Sequence, residues 1–263
     1  MSQRVRWGLL ALCIFFQLGV AQALPADSWL VAIGSNLGEA DELALRFAER
    51  DAQQFADVLR QQAGLTSRRT LMLLGEDAAT VRRALQDLNA EIRGQVAAGQ
   101  PSALVVFYSG HADAGSLHLR GSVLPLDELR KLVQGSAAAV RLLVVDACRS
   151  GTITRVKGVQ PAASFALQLE EKSVAEGMAI LTSSAAGESS QESDRLRGSF
   201  FSHHLVNALR GAADRNGDGR VTLTEAYAYT YDQTLRSSGR PLALQHPTSA
   251  FGATGREALA VSP

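Results

Sequence analysis

The chain has almost no cysteine: among its 263 residues only Cys13 and Cys148 occur, too few for a disulfide framework. It has no surplus of charge either. Lysine plus arginine and aspartate plus glutamate stand at 26 each, which argues against the bulk basic footprint of a nucleic-acid binder. No Cys/His cluster with zinc spacing occurs, and there is no internal repeat or low-complexity tract. The adjacent His203 and His204 point in different directions on a helix, and His246 precedes Pro247, so neither pattern is that of a paired metal site. What is present is an ordinary 46% of hydrophobic residues, enough to bury a sizeable core.

The N-terminal segment does not read as part of the fold. Arg4 and Arg6 precede an uncharged apolar run over 7–20, and Ala21-Gln22-Ala23 follows with small residues. This is the order of an export signal, and the apolar run is short for a membrane span. Residues 1–23 are expected to be removed, which places the mature chain in the periplasm or outside the cell, free of the membrane. A retained anchor is the alternative. Cys13 leaves with the signal, so the mature chain keeps one thiol. A lone cysteine in an oxidising compartment has no intramolecular partner, so Cys148 is either a small buried hydrophobe or a functional thiol.

Beyond the signal, strands and helices alternate. Residues 29–33 read as a strand, 43–62 as a helix ending before Gly64, 70–74 as a strand and 77–92 as a helix. Residues 103–108 form a nearly pure apolar strand followed by Ser109-Gly110-His111. A small hairpin is expected over 117–124 and a helix over 127–133. The strand 141–145 runs into Asp146-Ala147-Cys148-Arg149-Ser150-Gly151, and 178–181 is another. The polar stretch 183–198 lacks periodicity and reads as a loop, and 201–209 and 224–235 read as helices. Continuous apolar strands alternating with amphipathic helices predict an α/β sandwich, a mainly parallel sheet with helices on both faces.

Ligands of such sheets bind at the carboxyl ends of strands, and His111 and Cys148 lie past the ends of strands consecutive in sequence. An imidazole beside a thiol promotes the thiolate that nucleophilic catalysis needs. The amides of Ala112 and Cys148 are candidate donors to an oxyanion. Either residue alone is more often structural; together they point to a Cys–His dyad.

A strand ending Tyr108-Ser109-Gly110-His111 followed by one ending Asp146-Ala147-Cys148-Arg149-Ser150-Gly151 resembles the caspase, metacaspase and paracaspase clan. Asp51-Ala52 in the first helix, Thr182 through Glu188, and Gly198-Ser199-Phe200-Phe201 extend the similarity over roughly residues 28–236. The resemblance implies a caspase-like three-layer sandwich with six strands. It also implies a cysteine endopeptidase acting on protein or peptide substrates, with His111 as base and Cys148 as nucleophile. Asp146, two before the cysteine, resembles the metacaspase residue that selects arginine or lysine before the scissile bond, an acid complementing a base; a turn-capping role is the alternative. Glu188 and Glu192 are further pocket candidates. Ala112 departs from the family's glycine after the histidine, and its amide is usable only if the backbone there avoids positive φ.

A second motif lies near the end. Residues 214–225 read Asp-Arg-Asn-Gly-Asp-Gly-Arg-Val-Thr-Leu-Thr-Glu, the calcium-loop pattern. Asp214, Asn216 and Asp218 occupy positions one, three and five, Arg220 offers a carbonyl at seven, Thr222 stands at nine and Glu225 at twelve, with Gly219 for the turn. A metal-free surface turn is the alternative. The expected organisation is a signal over 1–23, a catalytic domain over 24–212, the EF-hand-like calcium loop and closing helix over 213–236, and a C-terminal segment over 237–263. The rival function is a catalytically inactive, calcium-binding regulator on the same fold; the oligomeric state is not legible.

Overall fold

A computed structural model describes residues 24–25, 27–113, 115–149, 177–184, 188, 190–238 and 245–251, with Cys148, Arg149 and Phe251 described by their backbone alone. The signal segment, Ser150, Gly151 and Ala185 to Gly187 therefore lie outside the described residues.

Five strands run parallel: β1 (Trp29–Gly34), β2 (Thr70–Leu74), β3 (Ala103–Ala112), β6 (Val140–Arg149) and β7 (Met178–Thr182). The antiparallel hairpin of β4 (Ser116–Leu119) and β5 (Ser122–Pro125) joins the far end of β3. The edge strand β10 (Thr248–Phe251) pairs antiparallel with β7, giving the order β10-β7-β6-β3-β1-β2. Part of the C-terminal segment thus completes the sheet.

Period-two alternation sorts the strands' side chains into two layers. Leu30, Ala32, Val105, Phe107, Leu142 and Val144 pack with α1 (Ala48–Gln62), α4 (Phe200–Asn207) and α5 (Leu223–Ser238). Val31, Ile33, Leu104, Val106, Leu143 and Val145 pack with α2 (Ala78–Ala97) and α3 (Leu126–Gln134). Both faces are covered, which is why the strands read as unbroken apolar runs rather than alternating ones. The Phe55 and Phe107 rings stack across the first layer, 4.4 Å between centroids.

Several elements differ from the sequence expectation. The first helix begins at Ala48 rather than at 43. Residues 35–47 form a loop in which Leu43 is 79% exposed, and the Glu192 carboxylate accepts the amides of Arg46 (3.0 Å) and Phe47 (2.9 Å) at the helix entrance. A cap supplied from 145 residues away has no local signature. The polar stretch expected as loop contains a two-stranded hairpin, β8 (Glu192–Ser193) with β9 (Gly198–Ser199). Finally, α4 runs into a π-helical turn over Ala208–Ala212 before the calcium-like loop.

Candidate active site

His111 and Cys148 lie inside strands rather than past their ends, because β3 and β6 continue pairing as far as Ala112 and Arg149. In that ladder His111 and Cys148 are direct register partners. Neighbouring strands lie about 4.8 Å apart, so the sheet alone brings the two backbones together. Tyr108 fastens this end: its hydroxyl donates to the carbonyls of His111 (2.5 Å) and His118 (3.2 Å). A Cβ on Gly110 would stand 2.4 Å from that hydroxyl oxygen, so glycine there is a packing requirement.

The His111 side chain is 3% exposed, and among the described residues neither ring nitrogen has a partner at full hydrogen-bond geometry, although the Leu43 backbone stands close enough to act on the ring. Burial drives the imidazole below its ordinary value, the Glu42 carboxylate acts to raise it, and His118 to lower it. Ala112 is 4% exposed and pairs with Leu117 on β4 and Arg149 on β6. Its φ is not positive, since the described non-glycine residues with positive φ are Arg120 and Arg197. The alanine therefore sits in the family's glycine position without backbone strain.

Asp146 is 1% exposed, and its carboxylate accepts the hydroxyls of Ser190 (2.7 Å), Ser202 (2.5 Å) and Ser199. Ser199 also donates its amide to Asp51 Oδ2, 2.9 Å away. Two buried acids thus share one serine. Asp51 is pushed up to about 8, first by burial, then by the charge of Asp146, against the pull of the Ser199 amide. Glu192 contributes a smaller effect of the same sign as Asp146. In the sequence Asp51 shows only as part of the helix pattern; its position in the apolar stripe with Ala48, Ala52 and Phe55 is the signal that it is buried.

The two glutamates diverge. Glu192 serves the entrance of α1 as described. Glu188 accepts the amide and the ring Nδ1 of His246, both at 2.5 Å, just before β10. That tie, together with Gln245 Nε2 donating to Ser183 O (2.9 Å) and Ser190 Oγ (3.1 Å), docks the C-terminal segment against the Asp146 network.

The loop after the π-helical turn has the shape the motif demands. Gly217 and Gly219 adopt φ of 72° and 77°, which glycine does without strain. Asp214 accepts the amides of Gly217 (2.8 Å) and Gly219 (3.0 Å), and Val221 is fully buried as an apolar anchor. Asp218 accepts the Arg220 amide at 2.8 Å. Glu225, in the first turn of α5, is turned back on Thr222, accepting its amide and hydroxyl at 2.9 Å each while its own amide donates to Thr222 Oγ1, a capping box. Among the described residues no three acidic, cysteine or histidine side chains converge at metal-ligand spacing. The turn and anchor fit a calcium ion; the glutamate at position twelve would have to swing in.

A parallel sheet between two helical layers, with histidine and cysteine in register at the carboxyl ends of neighbouring strands, defines a cysteine-peptidase class of fold. The chain belongs to the caspase domain family, which matches residues 29–240. Its structure resembles the crystal structure of caspase-1 from Spodoptera frugiperda, with a TM-score of 0.65, 14% identity, and 92% of this chain and 93% of that one covered. The structure of pro-Sf-caspase-1 is similar at a TM-score of 0.64 and 12% identity, covering 90% and 91% of the two chains. At those identities the likeness bears on the fold alone. No curated protein matches the sequence. Among the described residues no helix is long and apolar enough to cross a membrane.

Proposed function

We propose that the protein is an exported cysteine endopeptidase in which Cys148 attacks the peptide carbonyl and His111 serves as its base. What carries this reading is the register pairing of His111 with Cys148, which sets a buried imidazole beside the cysteine's strand. The thiol proton passes to His111, and the Cys148 sulfur bonds to the carbonyl carbon. The amine leaves with the proton from His111, and water then frees the acyl group and restores the thiol. The amides of Cys148 and Ala112 are the donors assigned to the oxyanion.

The preferred residue before the scissile bond is arginine or lysine. The support is the buried carboxylate of Asp146 with Asp51 beside it: two acids in a low-dielectric site favour a cationic side chain. Glu188 and Glu192 serve this reading indirectly, by fixing the segments that frame the Asp146 network. The loop over 214–225 is proposed to hold calcium through Asp214, Asn216, Asp218, the Arg220 carbonyl, Thr222 and Glu225. The ion would there cross-link the turn to α5, with an affinity of about 10⁻⁴ to 10⁻³ M as in extracellular modules.

One observation favours the rival reading of an inactive calcium-binding regulator: His111 is 3% exposed. The discriminating experiment is hydrolysis of fluorogenic peptides ending in arginine, lysine or aspartate, with calcium and with chelator, and with Cys148→Ala as control. Cleavage after arginine or lysine that is lost in Cys148→Ala supports the peptidase. Silence from a folded protein, with Cys148 alkylated no faster than in denatured chain, supports the regulator.

A further inference from the structure

The loop over 35–47 is irregular, yet it is anchored at many points. Ser35 N donates to Ser109 O (3.0 Å) and Ser35 Oγ to Leu37 O (2.7 Å). The amides of Arg120 and Gly121, at the tip of the β4–β5 hairpin, donate to the carbonyls of Leu37 (2.9 Å) and Gly38 (2.8 Å). Asn36 exchanges hydrogen bonds with Glu49 at the start of α1. The product of this anchoring is one buried carboxylate: the side chain of Glu42 is 6% exposed and lies against His111 and His118.

Each Glu42 oxygen has a defined neighbour. Oε1 accepts from His118 Nδ1 at 2.8 Å, and Oε2 accepts from the Glu39 amide at 2.7 Å. Oε2 also stands 4.0 Å from His111 Nδ1, beyond hydrogen-bond reach but well within the range of a charge. Gly38 completes the enclosure: a Cβ there would stand 1.7 Å from Glu42 Oε2 and 2.9 Å from His111 Cδ2. The backbone of residue 38 is therefore pressed against both members of the pair.

We propose that Glu42, pinned by His118 and the Glu39 amide, is a positioning residue for His111 that holds its Nδ1 edge toward a fixed negative charge and favours the imidazolium. The inference rests on the reading of His111 and Cys148 as the working pair. Its chemical consequence follows from that reading. When the thiol proton moves to His111, the new positive charge faces an anion already in place, so the thiolate–imidazolium pair forms without solvent reorganisation. The Nδ1–H tautomer is the one that faces Glu42, which leaves Nε2 as the basic nitrogen. Glu42 touches neither thiol nor peptide in this scheme; it acts through the imidazole.

Among the described residues, the ionisable groups around the pair belong to this cluster. His118 comes from β4, with Asp113 Oδ2 3.5 Å from its Nε2 and Glu39 Oε2 3.9 Å from its Nδ1. Cys148 and Arg149 come from β6, opposite His111 and Ala112. Glu42 favours a charged His111 and His118 disfavours it, in agreement with the opposite senses in which they move the imidazole.

The test titrates the His111 ring by NMR in full-length Cys148→Ala protein, so that its readout does not depend on peptidase activity. Glu42→Gln keeps the shape and removes the charge, and should shift the protonation equilibrium of His111 about tenfold toward neutral. Glu42→Asp draws the carboxylate back from the ring and should shift it in the same direction by less. In the chain that keeps Cys148, Glu42→Gln should slow alkylation of that thiol by iodoacetamide about tenfold near neutral pH, and Glu42→Asp should restore part of the loss. A His111 titration unmoved by Glu42→Gln overturns the inference. Should Glu42→Gln fail to fold, Glu42→Asp decides alone: a shift toward neutral supports the inference, and no shift or the opposite one overturns it. If His111 shifts as expected while every peptide stays uncleaved by the unmutated chain, the peptidase reading fails and the role of Glu42 stands.

Discussion

Asp51 faces inward from α1 with 1% of its surface exposed, and its carboxyl sits at about 8 instead of an ordinary 3.8. Between those values the folded chain holds a proton that the unfolded chain has released. Raising the pH through that interval therefore favours unfolding, at up to about 1.4 kcal/mol per pH unit. The whole interval would amount to roughly 6 kcal/mol as an upper bound. The histidines work in the opposite sense over its lower part. Burial pushes His204 down to about 4 and lowers His203 and His111, so these three contribute stability as pH rises toward their unfolded value of 6.5. Above that value they are neutral in both states.

The window from about pH 6.5 to 8 thus isolates Asp51, and there the chain should lose roughly 1–2 kcal/mol of stability. Asp51→Asn retains an acceptor for the Ser199 amide but cannot titrate, so its stability should be flat across the window. The slope is the informative quantity. Absolute stabilities mix in the Oδ1 of Asp51, which has no hydrogen-bond partner among the described residues and whose replacement by an amide nitrogen would leave that position just as unpartnered there. Urea unfolding followed by tryptophan fluorescence at three pH values, in Cys148→Ala protein to avoid thiol oxidation, gives the slopes directly. Parallel pH dependence in the two proteins would show that Asp51 ionises normally, and the account of a protonated acid beside Asp146 would be wrong.

Four further outcomes follow from the same geometry. His204, whose Nε2 lies 2.8 Å from Ser237 Oγ, loses its neutral folded form as pH falls from 6.5 through about 4; His204→Asn should flatten that acid limb in circular-dichroism titrations. Gly38→Ala should cut Cys148 alkylation at least tenfold while costing only about 1–3 kcal/mol of stability, because the clash falls on Glu42 and His111 rather than on the core. Phe107→Ala removes the ring stacked on Phe55 and should lower the urea-derived stability by about 3–5 kcal/mol. Glu225→Gln should weaken calcium binding at least tenfold by calorimetry, and a wild-type chain that releases no heat with millimolar calcium refutes the ion site.

How much of this was legible depended on whether the determinant was local. The sheet was, since unbroken runs such as 103–108 and 141–145 have no reading except strands covered on both faces. Their extension to Ala112 and Arg149 was not, because Ser109-Gly110-His111 and Asp146-Ala147-Cys148 carry little strand propensity and are held by pairing with each other. Had the strands been continued, the two-residue period would have put Asp146 on the face of Leu142 and Val144, and His111 on that of Phe107. That is the layer of α1, where Asp51 takes its place in the apolar stripe of Ala48, Ala52 and Phe55. The acid pair was therefore latent in two periodicities read together, 2.0 on the strand and 3.6 on the helix. Glu42 was not latent in any periodicity. It lies in a stretch that mimics a helix through Leu43 and Phe47, and apart from the local Glu39 amide it is contacts made far away in sequence, to His111, His118 and the hairpin tip, that hold its carboxylate where a charge can act on the imidazole. Backbone pairing brought the histidine and the cysteine together in a way the sequence could announce; the electrostatics around them are set by a loop with no regular pattern, which is why substitutions in that loop are the more searching test of function.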